Sequence, residues 1–232
     1  MAKAQRAVNP LTGLPGNLSV LAERQRRTDA GEAFAQLHLD LDNFKSFNDR
    51  YGFPRGDTAI TVVADVLVEV TEAEGGAGDF VGHVGGDDFQ VLTVSERAEG
   101  LAEAIKNGLE ARMPLLYDEE DRARGSVRVL NRRHELEDFP LMSVTIALAL
   151  YDPAAGTHLA QLDDALAELK QYGKSLPGSV VVSERRRRQP GPGSAPGFGE
   201  PPSHEAAESP PAPAPGSSAS APAAASKRSS AA

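Results

Sequence analysis

The chain has 232 residues, a formal net charge of −9 and no cysteine, which excludes disulfides and thiolate metal sites. No stretch approaches eighteen consecutive apolar residues and the N-terminus lacks an apolar signal region, so the expectation is a cytoplasmic protein with no membrane span. The residues after Ser183 carry +2, which leaves −11 on residues 1–183, a poor charge for non-specific nucleic-acid binding; no nucleic-acid partner is expected.

In chain order, residues 16–27 read as a helix. Residues 33–41 alternate: Phe34, Gln36, His38 and Asp40 share one face, and Ala35, Leu37 and Leu39 share the other, which predicts a strand with Asp40 emerging at its end. Phe44–Tyr51 and Thr58–Val70 read as helices, the second through the spacing of Ile60, Val63, Ala64 and Leu67. Asp57 follows Gly56 at the predicted start of that helix, so helix capping is one reading of it. Residues 79–84 and 88–94 flank Gly85-Gly86 as a β-hairpin. Ala98–Arg112 reads as a helix. Residues 118–138, charged and containing Asn131-Arg132-Arg133-His134, read as an inserted loop or hairpin whose arginines form a solvated face. A strand over 139–150, a helix over 158–171 and a short strand over 179–183 follow. The pattern predicts an α/β sandwich with a mixed sheet, in one domain over residues 1–183. From Glu184 the chain turns to Arg185–Arg188 and then to Pro, Gly, Ser and Ala, which predicts a disordered tail over 184–232. The arginine run reads as the solvated start of a linker or as a contact for acidic lipid or RNA.

Two acidic groups carry the chemistry. The run His83-Val84-Gly85-Gly86-Asp87-Asp88-Phe89 offers a turn able to approach phosphates, followed at once by two carboxylates. Asp40 stands at a strand end ahead of Asp42. Carboxylates at a strand end and a hairpin turn can converge on one hard cation, and such cations bridge phosphate oxygens in nucleotidyl transfer.

Five pieces in order carry a resemblance: Asn9-Pro10-Leu11-Thr12-Gly13-Leu14-Pro15; Asp40-Leu41-Asp42-Asn43-Phe44-Lys45; Asn48-Asp49 with Gly52 and Gly56-Asp57; Gly85-Gly86-Asp87-Asp88-Phe89; and Lys170-Gln171-Tyr172-Gly173-Lys174. Together they resemble the GGDEF family of diguanylate cyclases over about residues 9–183. The resemblance implies a ferredoxin-like palm related to nucleotide cyclases. It implies condensation of two GTP into cyclic di-GMP and two pyrophosphates at a homodimer interface. Mg2+ or Mn2+ would be held by Asp40, the carbonyl of Leu41, Asp87 and Asp88. Asp87 would also lie near the attacking hydroxyl, as ligand or as base, and Lys45 would stabilise phosphate charge. Asn48 and Asp57 would read guanine, while Phe44, Gly85, Gly86, Lys170 and Lys174 would contact substrate.

The chain departs from the family pattern at Asp88, where glutamate is usual; the shorter side chain loses ~1.5 Å of reach while keeping its charge. Lys174 replaces an arginine, and Phe53, His83 and Ala147 replace a histidine, an arginine and a glycine. The alternative these departures leave is a GTP-binding or partner-binding signalling module without turnover. A family site for bound product needs Arg-x-x-Asp; the window here is Gly76-Ala77-Gly78-Asp79, and Val70 to Gly82 contains no Lys or Arg, so that site is expected to be absent. With about eight residues ahead of the first motif, input is expected from an unidentified regulatory protein, the tail or the 118–138 segment.

Overall fold

The computed structural model describes residues 8–130 and 135–184. Its elements are α1 (Asn17–Asp29), β1 (Phe34–Asp42), α2 (Phe44–Tyr51), α3 (Phe53–Glu74), β2 (Phe80–Gly85), β3 (Asp88–Thr93), α4 (Ala98–Arg112), α5 (Glu119–Arg124), β4 (Ser126–Leu130), β5 (Leu136–Pro140), β6 (Ser143–Tyr151), α6 (Leu159–Gly173) and β7 (Val180–Ser183). Five strands form one mixed sheet in the order β2-β3-β1-β6-β7. β1 runs antiparallel to both β3 and β6, and only the β6–β7 pair is parallel. β3 inserts between β1 and β2, the split β-α-β arrangement of ferredoxin-like folds.

The period-two pattern of β1 sorts its side chains between two cores. Ala35, Leu37, Leu39 and Leu41 join Phe89, Val91, Val144 and Ile146 against Ile60, Val63 and Leu67 of α3 and Leu101, Ile105 and Leu109 of α4. Phe34 on the opposite face joins Leu92, Ala147, Ala149 and Tyr151 against Leu162 and Leu166 of α6. Both faces of β1 are therefore covered, and even Gln36 is buried, its amide donating to Gln90 Oε1 at 2.9 Å. The predicted apolar spacing of α3 is observed as a buried stripe.

Two predicted boundaries are corrected. Helix α3 starts at Phe53, not Thr58, because Pro54 occupies the first turn, where its missing N–H costs nothing. Asp57 thus lies inside the helix, Gly52 is the N-cap, and the capping reading of Asp57 fails. The last long strand starts at Ser143 rather than at 139, since Leu136–Pro140 pairs instead with Ser126–Leu130.

The 118–138 segment is thus a short helix and one strand of a hairpin, the other strand running on to Pro140; its Asn131–His134 run lies outside the described residues. Its described arginines are exposed, as expected of a solvated face; within it Arg128 Nε donates to Asp138 Oδ1 at 2.9 Å, and Arg124 pairs with Asp121. Asp121 is buried and also accepts from Tyr51 (2.6 Å) and Arg50 (2.9 Å), which braces the segment against the end of α2. The expected tail from Arg185 onward lies outside the described residues. No described helix is long and apolar enough to cross a membrane.

Candidate active site

Strand register assembles the acidic cluster. Asp40 pairs directly with Asp88 across the β1–β3 ladder and with Thr145 across the β1–β6 ladder. Directly paired residues share a face, so two sequence-distant carboxylates meet at one sheet end. Leu41 turns its side chain into the opposite core at 3% exposure, which leaves only its carbonyl for the site. Asp87 sits in the adjoining turn, where Gly86 takes φ +59°, a left-handed conformation that glycine adopts without a Cβ clash. Asn43 also turns left-handed, at φ +61°, and sends the chain from Asp42 straight into α2.

Helix α6 covers this end with its lysines. Lys170 Nζ lies 2.7 Å from Asp40 Oδ2 and 2.6 Å from Asp88 Oδ1, and Lys174 pairs with Asp40 Oδ1. Asp40 is only 6% exposed in its side chain, and its Oδ1 has that ion pair but no hydrogen bond. Asp42 accepts from the hydroxyls of Thr145 (3.0 Å) and Ser143 (3.1 Å).

These surroundings push the carboxylates apart in acidity. Burial, then the neighbouring negative charges of Asp40 and Asp88, raises the pKa of Asp87. Burial also raises Asp42, against the pull of its two hydroxyl partners. Asp88 is held well below the usual carboxylate range by its hydrogen bond from His38, reinforced by Lys170 against the effect of burial. Burial would lower Lys170, but its bonds to Asp40 and Asp88 outweigh that and raise it.

Among the described residues no three His, Asp or Glu side chains stand as a ready-made cation cage. The donor chemistry nevertheless fits a hard divalent ion. The donors are carboxylates and one carbonyl, the ionisation of Asp87 is disfavoured by burial and then by like charge, and ammonium groups already sit on Asp40 as cations.

The remaining predicted residues lie on α2 and the start of α3. Phe44 opens α2 and packs partly buried against the core, while Lys45 is exposed with no ion pair among the described residues. Asn48 lies against Gly56: a Cβ added at that glycine would come within 1.8 Å of Asn48 Oδ1, so only glycine permits this contact. That Oδ1 is buried with no hydrogen-bond partner among the described residues. Asp57 is exposed one residue beyond Gly56.

Two residues absent from the predicted set touch the cluster or its turn, and a third, Arg97, lies at the opposite end of the β2–β3 hairpin. His38 Nε2 lies 2.9 Å from Asp88 Oδ1. His83 is buried and stacked on Phe89 at 4.3 Å; its Nε2 donates to the Gly86 carbonyl (2.9 Å) and its Nδ1 meets the Thr12 hydroxyl (3.1 Å). The turn of the signature is thereby tied to the Asn9–Pro15 segment. Arg97, from outside the Val70–Gly82 window, donates to Asp79 at 3.3 Å and lies against Gly76, so the expectation that no basic residue stands beside Asp79 is corrected. Asp79 is itself only 1% exposed in its side chain and accepts from the Gly76 N–H at 2.9 Å, which commits it to closing its own loop.

Residues 7–175 match the family described as "Diguanylate cyclase, GGDEF domain". The chain is similar to the bifunctional diguanylate cyclase/cyclic di-GMP phosphodiesterase MucR of Pseudomonas aeruginosa, 29% identical over 189 residues, which is 75% of this chain and 24% of MucR. It is similar to the probable diguanylate cyclase DgcT of Escherichia coli, 36% identical over 80 residues, 33% of this chain and 17% of DgcT. The chain thus spans a quarter or less of the length of these two relatives. Two solved structures share the fold. The GGDEF domain of DgcB from Caulobacter crescentus in complex with c-di-GMP has a TM-score of 0.51 at 20% identity, covering 78% of this chain and 98% of that one. A microbial GGDEF domain with cyclic di-GMP has a TM-score of 0.53 at 22% identity, covering 78% and 100%.

Proposed function

We propose, from the premise that this chain belongs to the GGDEF-domain family, that it condenses two GTP molecules into cyclic di-GMP and two pyrophosphates with Mg2+ or Mn2+. One observation carries this reading: the Asp40–Asp88 register, with Asp87 at the adjoining turn, sets three carboxylates at one sheet end beneath two lysines. In each half-reaction the 3′-oxygen of one nucleotide bonds to the α-phosphorus of the other, and the bond from that phosphorus to the pyrophosphate oxygen breaks. Asp87 is suited to receive the hydroxyl proton, since its raised pKa brings it nearer the working range of a base. Asn48 and Asp57 read the guanine edge. The first turn of α2, Phe44 and Lys45, holds the phosphates with Gly85, Gly86, Lys170 and Lys174. A bound divalent ion, held by Asp40, the Leu41 carbonyl, Asp87 and Asp88, would neutralise phosphate charge. Each domain holds one nucleotide, so two copies meet face to face, at least transiently, and a separate protein regulates their meeting.

A second reading rests on Asp88, which is engaged inward by His38 and Lys170. A carboxylate so committed suits a module that binds GTP without turning it over. Incubating purified protein with GTP and Mg2+ or Mn2+, then separating nucleotides by chromatography, decides between the two. Cyclic di-GMP that disappears in Asp87→Asn supports the cyclase. GTP binding without product supports the module, and neither binding nor product rejects both.

A further inference from the structure

The face of the sheet under α6 is apolar at Phe34, Leu92 and Ala147 but polar toward the acidic cluster. On this face Gln36 bonds diagonally across the β1–β3 ladder to Gln90, and His38, which stands opposite Gln90, bonds diagonally to Asp88. An ionised carboxylate only accepts, so His38 Nε2 carries the hydrogen of that bond. Lys170 Nζ lies 3.3 Å from the same nitrogen and directs its hydrogens to Asp40 and Asp88 instead. Asp88 Oδ1 therefore takes two donors, and no side chain among the described residues is bonded to Oδ2. Asp88 is also one methylene shorter than the glutamate in the family's name, so it cannot reach a ligand by swinging a longer arm.

We propose that His38 is a positioning residue of the site: its bond to Asp88 Oδ1 fixes the direction in which the short carboxylate offers its other oxygen to a divalent ion. The role rests on the cation-dependent reading above. It acts through Asp88 and not by direct contact with the ion, in the manner of partners that orient metal ligands. The bland alternative is that His38 merely fills space beneath α6.

The test uses Mn2+ with the unreactive analogue α,β-methylene-GTP, read by electron paramagnetic resonance, on wild type, His38→Gln, His38→Leu, Asp88→Asn and the double variant His38→Leu/Asp88→Asn. Nitrogen NMR of the metal-free protein reads which ring nitrogen of His38 bears hydrogen. The expected signal is Nε2–H, moving in Asp88→Asn. His38→Leu is expected to weaken Mn2+ binding by ~10–100-fold, the usual effect of losing such a partner. His38→Gln keeps a donor at the same reach and is expected to stay within about twofold, the scatter of independent effects. In the Asp88→Asn background, His38→Leu should add nothing. Should His38→Leu not fold, His38→Asn, too short to reach Asp88, replaces it with the same expected loss. Hydrogen on Nδ1, undiminished binding by the Leu or Asn variant, or additive effects in the double variant overturn the role. Direct nitrogen coupling from imidazole to Mn2+ overturns it too, by making His38 a ligand. A wild type that binds no Mn2+–nucleotide while its Nε2–H signal persists overturns the cyclase reading and this role together. Wild-type binding that is indifferent to His38 overturns this role alone.

Discussion

Gly56→Ala separates stability from nucleotide choice. Inside a helix, alanine is favoured over glycine by at most about 0.8–1 kcal/mol, and Gly56 is the fourth residue of α3. Here the new Cβ would come within 1.8 Å of Asn48 Oδ1 and 2.9 Å of its Cγ, so the Asn48 side chain has to leave its place. Driving it off its rotamer costs about 0.5–1.5 kcal/mol, which nearly cancels the helical gain, and the unfolding midpoint should scarcely move. Recognition changes more. If Asn48 Oδ1 accepts from guanine, its displacement leaves a guanine donor unsatisfied at about 1–3 kcal/mol, or roughly 5–150-fold in affinity. Calorimetric titration with GTP and ATP, each with Mg2+, measures both effects. The expected result is a large loss for GTP, little change for ATP and an unchanged melting temperature. Wild-type GTP affinity in Gly56→Ala would refute the argument and remove Asn48 from base recognition.

Asp40→Asn and Asp87→Asn should each abolish product formation, a loss of at least ~2–4 kcal/mol in transition-state stabilisation, read as initial rates of cyclic di-GMP synthesis. Stability should move in opposite directions at the two signature acids. Asp87 has a raised folded pKa, so between its unfolded and folded values the native state binds more protons and stability falls as pH rises. Asp87→Asn should therefore melt higher than wild type at neutral pH and converge with it below pH ~4. Asp88 is depressed, so its contribution is fully present above its unfolded pKa of ~4 and is lost as pH falls from there through its lower folded pKa; Asp88→Asn should melt lower than wild type at neutral pH. Asp57→Ser should relax the preference for GTP over ATP in competition assays without altering the melting temperature, since Asp57 caps no helix. Asp79→Ala should cost about 1–3 kcal/mol in chemical denaturation by orphaning the Gly76 N–H and Arg97, while calorimetry with cyclic di-GMP finds no micromolar binding to lose.

Much of this architecture is legible in the residues themselves. The helices Phe44–Tyr51 and Ala98–Arg112 fall where they are predicted, and the alternation in β1 correctly separates the Asp40 face from the Leu37 face. The start of α3 is not legible because Pro54 and Gly56 look like helix breakers. One is harmless in a first turn, and the other is required by a neighbour in the preceding helix, Asn48, that no local rule connects to it. His38 lies on the Asp40 face in the pattern, and a polar residue there was the available signal. What gives it meaning is Asp88, fifty residues away, and only strand register supplies that distance. Arg97 is hidden for the same reason: a window around Asp79 cannot contain a side chain that arrives from the far side of the hairpin.

The lysines of α6 have a consequence for the order in which ligands arrive. On the proposed cyclase reading, a divalent ion coming alone would displace two ammonium groups from Asp40, leaving Lys174 without its carboxylate and Lys170 with Asp88 alone. A triphosphate coming alone meets carboxylates whose negative charge the same lysines only partly cancel. If the two arrived together, each ammonium released from a carboxylate would find a phosphate oxygen, so the exchange would conserve ion pairs. Cation and nucleotide must then raise one another's affinity by a common factor, because coupling between two binding equilibria is reciprocal. Titrations of either ligand by itself will understate the strength with which the pair is held.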